Sequence, residues 1–103
     1  MSPEIIDWGS GEVLLWDLWF LDQSQPLLEQ VDCLKEDLAQ VAYENEVLLD
    51  IGWYPEFSDA GGFVIRVVKQ INWDEPLFID SNKTVDGFLS SLKEAILIAK
   101  NAV

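Results

Sequence analysis

The sequence predicts a two-layer α+β domain, in which a three-stranded antiparallel sheet is packed by long N- and C-terminal helices. Three observations lead to this fold class. Apolar and polar residues alternate in the middle of the chain, as they do in strands. Apolar residues on either side recur every three or four positions, as they do in amphipathic helices. The length of 103 residues, half of them hydrophobic, suits one domain spanning residues 1–103.

The N-terminal part is predicted to be helical after an irregular lead-in over residues 1–11. Residues 13–22, "VLLWDLWFLD", are apolar nearly all round, so neither a helical face nor a strand face is clean. A helix is favoured there because residues 24–43 look clearly helical, with Ser24 as N-cap and Pro26 in the first turn. One apolar stripe supports this second helix: Leu27, Val31, Leu34, Leu38 and Val41.

Three strands are predicted in the middle of the chain. Residues 46–54 alternate strictly, and Pro55 ends the strand. One face of this strand is predicted to point into the core: Val47, Leu49, Ile51 and Trp53. A turn containing Gly61 and Gly62 leads to a β-branched strand over residues 63–71. Residues 76–80 form a short third strand, in which Pro76 suits an edge position.

The chain closes with a predicted helix over residues 84–102. Thr84 is its expected N-cap, and Lys100 in the last turn suits the helix dipole. Its predicted core-facing stripe contains Val85, Phe88, Leu89, Leu92, Ile96 and Ala99.

The net charge of −13, from 19 acidic and 6 basic residues, bounds the choice of partner. Such a surface repels phosphate, so we expect no direct binding to nucleic acid or membranes. It attracts basic proteins and speeds their association. The only cysteine, Cys33, cannot form an internal disulfide and is expected to be semi-buried. This cysteine usage and the absence of a signal-peptide pattern favour the cytoplasm.

Catalysis and metal binding are not predicted. The chain has no histidine, which removes the commonest general base and the usual zinc ligand. A carboxylate pair for glycoside hydrolysis would need a larger cleft than 103 residues build. Residues 80–87, "DSNKTVDG", resemble a calcium loop, but Lys83 and Thr84 stand where ligands would be needed. We therefore expect no enzyme activity, no catalytic residues, no metal and no cofactor.

Protein binding is the function class that the abundant residues favour, because aromatic anchors with acidic neighbours suit a basic partner. The predicted partner-binding residues are Asp50, Trp53, Tyr54, Glu56, Asp59, Asp74 and Glu75. Asp50 and Trp53 are expected to support the others, with Trp53 mainly in the core. The two clusters lie at opposite ends of the predicted middle strand, and only a sheet face through Asp50, Tyr54 and Arg66 would join them. Acidic residues of the second helix are the alternative surface: Glu29, Asp32 and Glu36.

The segment "LLDIGWYPEFSDAGGFVIRVVKQINWDEPL", followed by a capped helix, resembles small acidic immunity proteins of bacterial polymorphic toxin systems. The contact-dependent growth inhibition immunity proteins are the nearest match, and the resemblance covers residues 47–98. It implies a cytoplasmic protein that neutralises the toxic C-terminal domain of a cognate effector, commonly a nuclease acting on tRNA or DNA. The alternatives are an acidic adaptor for another basic protein, or a homodimeric scaffold that pairs through residues 13–21.

Overall fold

A computed structural model describes the whole chain, Met1–Val103, as a five-stranded antiparallel meander with one long helix. The strands are β1 (Glu12–Trp16), β2 (Ala39–Tyr43), β3 (Val47–Tyr54), β4 (Gly62–Lys69) and β5 (Phe78–Asn82), each paired with the next in the chain. The helix α1 (Val85–Ala102) follows β5, and short 3-10 helices span Pro3–Ile5 and Leu27–Cys33. The α+β class is therefore right, but the predicted three-stranded sheet and long N-terminal helices are wrong.

The first predicted helix, over residues 13–22, is instead the edge strand β1 followed by irregular chain. A register shift between Val13 and Leu15 interrupts the pairing of β1 with β2, which explains why no clean strand face is visible in the sequence. Beyond β1, Leu18 and Leu21 are buried without a helix. The ammonium group of Met1 donates hydrogen bonds to the carbonyl oxygens of both residues, at 3.1 and 2.9 Å, and so holds this segment.

The second predicted helix, over residues 24–43, is also wrong. Ser24 binds the side chain of Asp22 rather than capping a helix, with 2.6 Å between its Oγ and Asp22 Oδ1. Leu34 and Leu38 are fully buried from irregular chain, and the strand β2 follows with alternating burial. Cys33 is exposed, not semi-buried as predicted. The apolar spacing of three and four thus comes from an irregular segment joined to a strand.

The predicted central strands are confirmed as β3 and β4, with ends that differ by one or two residues. The core-facing side chains of β3 are exposed by 1% or less, as predicted: Val47, Leu49, Ile51 and Trp53. Phe63 on β4 lies edge-on to Trp53, with 5.1 Å between ring centroids, and stacks on Phe88 of α1 at 4.3 Å. These aromatic contacts join the sheet to the helix. The apolar area that they bury between the two layers stabilises the fold.

The C-terminal helix is confirmed together with its cap. Thr84 Oγ1 accepts a hydrogen bond from the backbone N–H of Gly87 at 3.0 Å. Thr84 and Gly87 belong to residues 80–87, the segment that resembles a calcium loop, and there they form the N-terminal cap of α1. The buried residues of α1 are Phe88, Ser91, Leu92, Ala95, Ile96 and Ala99. The protein contains no helix with both the length and the apolar character that a membrane crossing requires.

Candidate functional site on the open face of the sheet

The sheet has one face packed by α1 and one face without a packed α-helix, here called the open face. The central row of the open face crosses all five strands through register partners: Leu15, Gln40, Asp50, Arg66 and Ile79. Ala42, Leu48 and Val68 lie on one side of this row, and Gly52, Tyr54 and Val64 lie on the other. Most of these side chains are half-buried, so the face presents a mixed apolar and polar surface.

A polar group of side chains occupies the middle of the open face. Gln40 Nε2 donates a hydrogen bond to Asp50 Oδ1 at 3.1 Å. The guanidinium of Arg66 lies over the ring of Tyr54, with 5.2 Å between Arg66 Cζ and the ring centroid. Asp50 is only 3% exposed, and this burial raises the pKa of its carboxyl group. The hydrogen bond from Gln40 opposes that rise, the charge of Asp37 adds to it, and the charge of Arg66 opposes it.

Replacing Asp50 with asparagine is expected to stabilise the fold at neutral pH. Because the folded-state pKa is raised above 3.8, the folded protein binds more protons than the unfolded chain across the window between the two values. Stability therefore falls as the pH rises through that window. Asp50→Asn keeps an oxygen that accepts from Gln40 but removes the buried charge, so its advantage should be small below pH 3.8 and larger at pH 7.

Urea unfolding between pH 3 and pH 7 checks this expectation. Asp59→Asn, at an exposed carboxyl, is the matched control and should leave the free energy of unfolding almost unchanged. An Asp50→Asn variant that is less stable than the wild type at pH 7 would contradict the assignment of a costly buried charge.

The end of the open face at the β3–β4 turn carries four exposed carboxylates, here called the β3–β4 end: Glu36, Asp37, Glu56 and Asp59. Trp53 holds the turn, because its Nε1 donates to the carbonyl oxygen of Ser58 at 2.9 Å. A Cβ on Gly52 would lie 1.8 Å from the carbonyl oxygen of Glu36. Only glycine allows this close approach, which brings the backbone of residue 36 onto the sheet.

The opposite end of the open face is formed by two adjacent turns. Residues 44–46 join β2 to β3, and residues 70–72 begin the connection from β4 to β5. The N–H of Gln70 donates to the carbonyl oxygen of Glu46 at 3.0 Å, so the two turns lie side by side. Four exposed carboxylates occur here, and this group is called the turn end: Glu44, Glu46, Asp74 and Glu75.

The few basic side chains lie mostly away from the open face. Lys83 precedes α1, while Lys93 and Lys100 are exposed on it. Lys69 Nζ donates to the carbonyl oxygen of Ala102 at 3.1 Å, at the end of that helix. Lys35 pairs with Asp17 at 3.0 Å. The remaining basic residue is Arg66, in the centre of the open face. Four of the six basic side chains therefore lie on α1 or next to it, Lys35 and Arg66 do not, and carboxylates stand at both ends of the open face.

The seven predicted binding residues fall into three groups. Trp53 is fully buried and Asp50 nearly so, which leaves them supporting roles. Tyr54 is half-buried beside Arg66. The exposed carboxylates lie at opposite ends of the sheet: Glu56 and Asp59 at one, Asp74 and Glu75 at the other.

The alternative acidic surface does not exist in the predicted form, because no long helix carries it. Glu29 and Asp32 lie in the short 3-10 helix, and Glu36 lies at the β3–β4 end. Sequence reasoning missed the part played by Gln40 because its segment was assigned to a helix. The sequence signal for this strand is the alternation of Ala39, Val41 and Tyr43 with Gln40 and Ala42, which the folded chain shows as alternating burial.

Comparison of the chain with protein-family models, curated proteins and solved structures gives no match.

Proposed function

We propose that this chain is a cytoplasmic immunity protein that binds and neutralises the basic toxin domain of a cognate secreted effector. The toxin is proposed to be a nuclease, for example one that cleaves tRNA. The single observation that carries the proposal is the charge arrangement: carboxylates stand at both ends of an open sheet face, and most basic side chains lie on the helix side. The protein acts by binding, with no catalysis and no cofactor.

The chemistry of a nuclease surface suits this arrangement. A nuclease needs lysine and arginine to hold phosphate, and these groups also pair strongly with carboxylates. Two acidic ends separated by a partly apolar face can cover the active site or the nucleic-acid groove. The large opposite charge also accelerates encounter, which suits an inhibitor of a toxin that acts as soon as it is free.

The resemblance to immunity proteins supports the same proposal, because it covers three of the five strands of the open face and half of the carboxylates at its two ends. The resembling residues, 47–98, include β3, β4 and β5 and most of α1. This range contains two carboxylates of each end: Glu56 and Asp59 at the β3–β4 end, and Asp74 and Glu75 at the turn end.

Binding to the toxin domain encoded by the neighbouring gene tests the proposal. We expect a stable 1:1 complex, loss of RNA or DNA cleavage by the bound toxin, and an affinity that weakens steeply between 50 and 500 mM salt, roughly the range over which screening becomes strong. A toxin domain from an unrelated system is the control and should not be inhibited. Absence of binding to the neighbouring product would overturn the proposal, and salt-independent binding would overturn its electrostatic part.

The alternative is an acidic adaptor or a homodimeric scaffold without a toxin. Residues 13–21 were the predicted dimer surface, but Trp16, Leu18 and Leu21 are buried within their own chain. Leu14 and Trp19 remain exposed there, by 59% and 62%. The immunity protein itself is also allowed to form a homodimer, so a light-scattering mass of two chains favours the scaffold only when the chain also fails to bind the toxin.

A further inference from the structure

Exposed apolar side chains are concentrated in the connection from β4 to β5, residues 70–77, here called the β4–β5 loop. Ile71 is 78% exposed, Trp73 41% and Leu77 47%. Ile79, two positions beyond the loop on the open face, is 56% exposed. Single exposed apolar residues are ordinary, but four within nine residues form a patch of the kind that marks protein-binding sites.

Ile71 is poorly suited to its backbone position. Gln70 and Ile71 have φ values of 57° and 58°, and the N–H of Asn72 closes the turn on the carbonyl oxygen of Lys69 at 3.2 Å. Two consecutive residues with positive φ favour asparagine and glycine, whereas a β-branched side chain is strained there. A strained residue with a nearly fully exposed side chain gains little from the fold, which points to a role in binding.

The β4–β5 loop is held in place by backbone hydrogen bonds. The N–H of Leu77 donates to the carbonyl oxygen of Val67 at 2.7 Å and closes the base of the loop. The N–H of Trp73 donates to the carbonyl oxygen of Ile71 at 3.1 Å, and the N–H of Gln70 donates to the carbonyl oxygen of Glu46 at 3.0 Å. A loop ordered before binding loses less conformational entropy when a partner docks, so its apolar groups contribute more to affinity.

The charges around the patch indicate what kind of partner it fits. Asp74 and Glu75 belong to the loop, and Glu46 is hydrogen-bonded to it through its backbone. Lys69, at the base, is directed to the carbonyl oxygen of Ala102. A tryptophan and an isoleucine inside a ring of carboxylates suit an apolar pocket bordered by lysine or arginine, which is the arrangement of a hot spot within a charged rim.

We propose that the β4–β5 loop is the anchor of toxin binding, with Ile71 and Trp73 inserted in an apolar pocket of the toxin domain. Basic side chains at the border of that pocket face Glu46, Asp74 and Glu75. This inference rests on the proposed function and assigns the larger share of affinity to the loop, whereas the β3–β4 end contributes its charge and one exposed aromatic side chain, Phe57.

Truncation of Trp73 tests the anchor against a matched exposed tryptophan. The probe is the toxin domain of the neighbouring gene, titrated calorimetrically with the full-length chain. Trp73→Ala is expected to weaken binding at least about 30-fold, the size of a hot-spot loss. Trp19→Ala, which removes a 62% exposed tryptophan after β1, should change affinity less than about threefold.

A second variant separates a binding role from a structural one. Ile71→Asn relieves the strained backbone, so we expect a higher melting temperature together with binding weakened about tenfold or more. If Ile71 were retained for stability, Ile71→Asn would lower both the melting temperature and the affinity for the toxin.

The outcomes distinguish the anchor from the proposed function. A wild-type chain that does not bind the toxin overturns both. Wild-type binding with unchanged affinity of Trp73→Ala and Ile71→Asn overturns the anchor alone. A wild-type dimer that both variants convert to a monomer assigns the loop to a second copy of the chain and overturns the anchor as well.

Discussion

Replacement of Trp53 by alanine is expected to lower the free energy of unfolding by about 3–5 kcal/mol, the usual cost of truncating a buried tryptophan. Trp53 is fully buried, and its ring lies edge-on to Phe63 in the core between β3, β4 and α1. Domains of this size are stable by only about 5–15 kcal/mol, so the variant should lose a large fraction of its total stability. Urea titration followed by far-UV circular dichroism measures the loss.

Trp53 also supports the β3–β4 turn, and a second variant isolates this role. Trp53→Phe keeps most of the apolar volume but loses the hydrogen bond from Nε1 to Ser58, so we expect a smaller loss of about 1–3 kcal/mol. Trp19→Ala, at an exposed site, is the control and should change stability by no more than about 0.5 kcal/mol. A Trp53→Ala variant that loses under about 1 kcal/mol would contradict the packing described for this core.

The C-terminal half could be predicted from sequence because its local and global signals agree. The inward face of β3 alternates strictly, β4 is rich in β-branched residues, and Thr84 stands where a helix cap is needed. The inward position of Trp53 followed from the same alternation. In these elements, one pattern satisfies both the backbone geometry and the core.

The N-terminal half could not be predicted because its apolar spacing fits two structures. Leu34 and Leu38 are four residues apart, as on one helical face, yet they reach the core from irregular chain. In β1, the register shift after Val13 breaks the alternation that would have identified a strand. Tertiary contacts therefore decide between the alternatives, and a local pattern does not contain them.

The composition of the site could be predicted from sequence, but its arrangement could not. The acidic and aromatic content of residues 50–59 and 72–76 already favoured a basic partner. The contact of Gln40 with Asp50, however, depends on the register of β2 against β3. The neighbouring position of Glu36 depends on a close approach to Gly52. Both are long-range features, so the acidic ends of the open face become visible only in the folded chain.

Removal of the four carboxylates at the turn end is expected to slow association with the toxin on the order of 100-fold at low salt, because steering by opposite charge acts mainly on the association rate. The variant replaces each residue with its amide: Glu44→Gln, Glu46→Gln, Asp74→Asn and Glu75→Gln. These carboxylates surround the proposed anchor, so they act where the two surfaces first meet. Stopped-flow association rates over a range of salt concentrations measure the effect, which should fade as the salt is raised.

Two further variants with the same charge separate position from total charge. One neutralises the β3–β4 end, and the other, called the remote set, neutralises four exposed acidic residues that belong to neither end: Glu4, Glu29, Asp32 and Glu94. Each set removes four carboxylates, so all three variants change the net charge of −13 equally. If the anchor is at the turn end, association slows most for that variant, less for the β3–β4 end and least for the remote set. Equal slowing of all three would mean that the toxin responds to total charge, and that the arrangement on the open face does not direct binding.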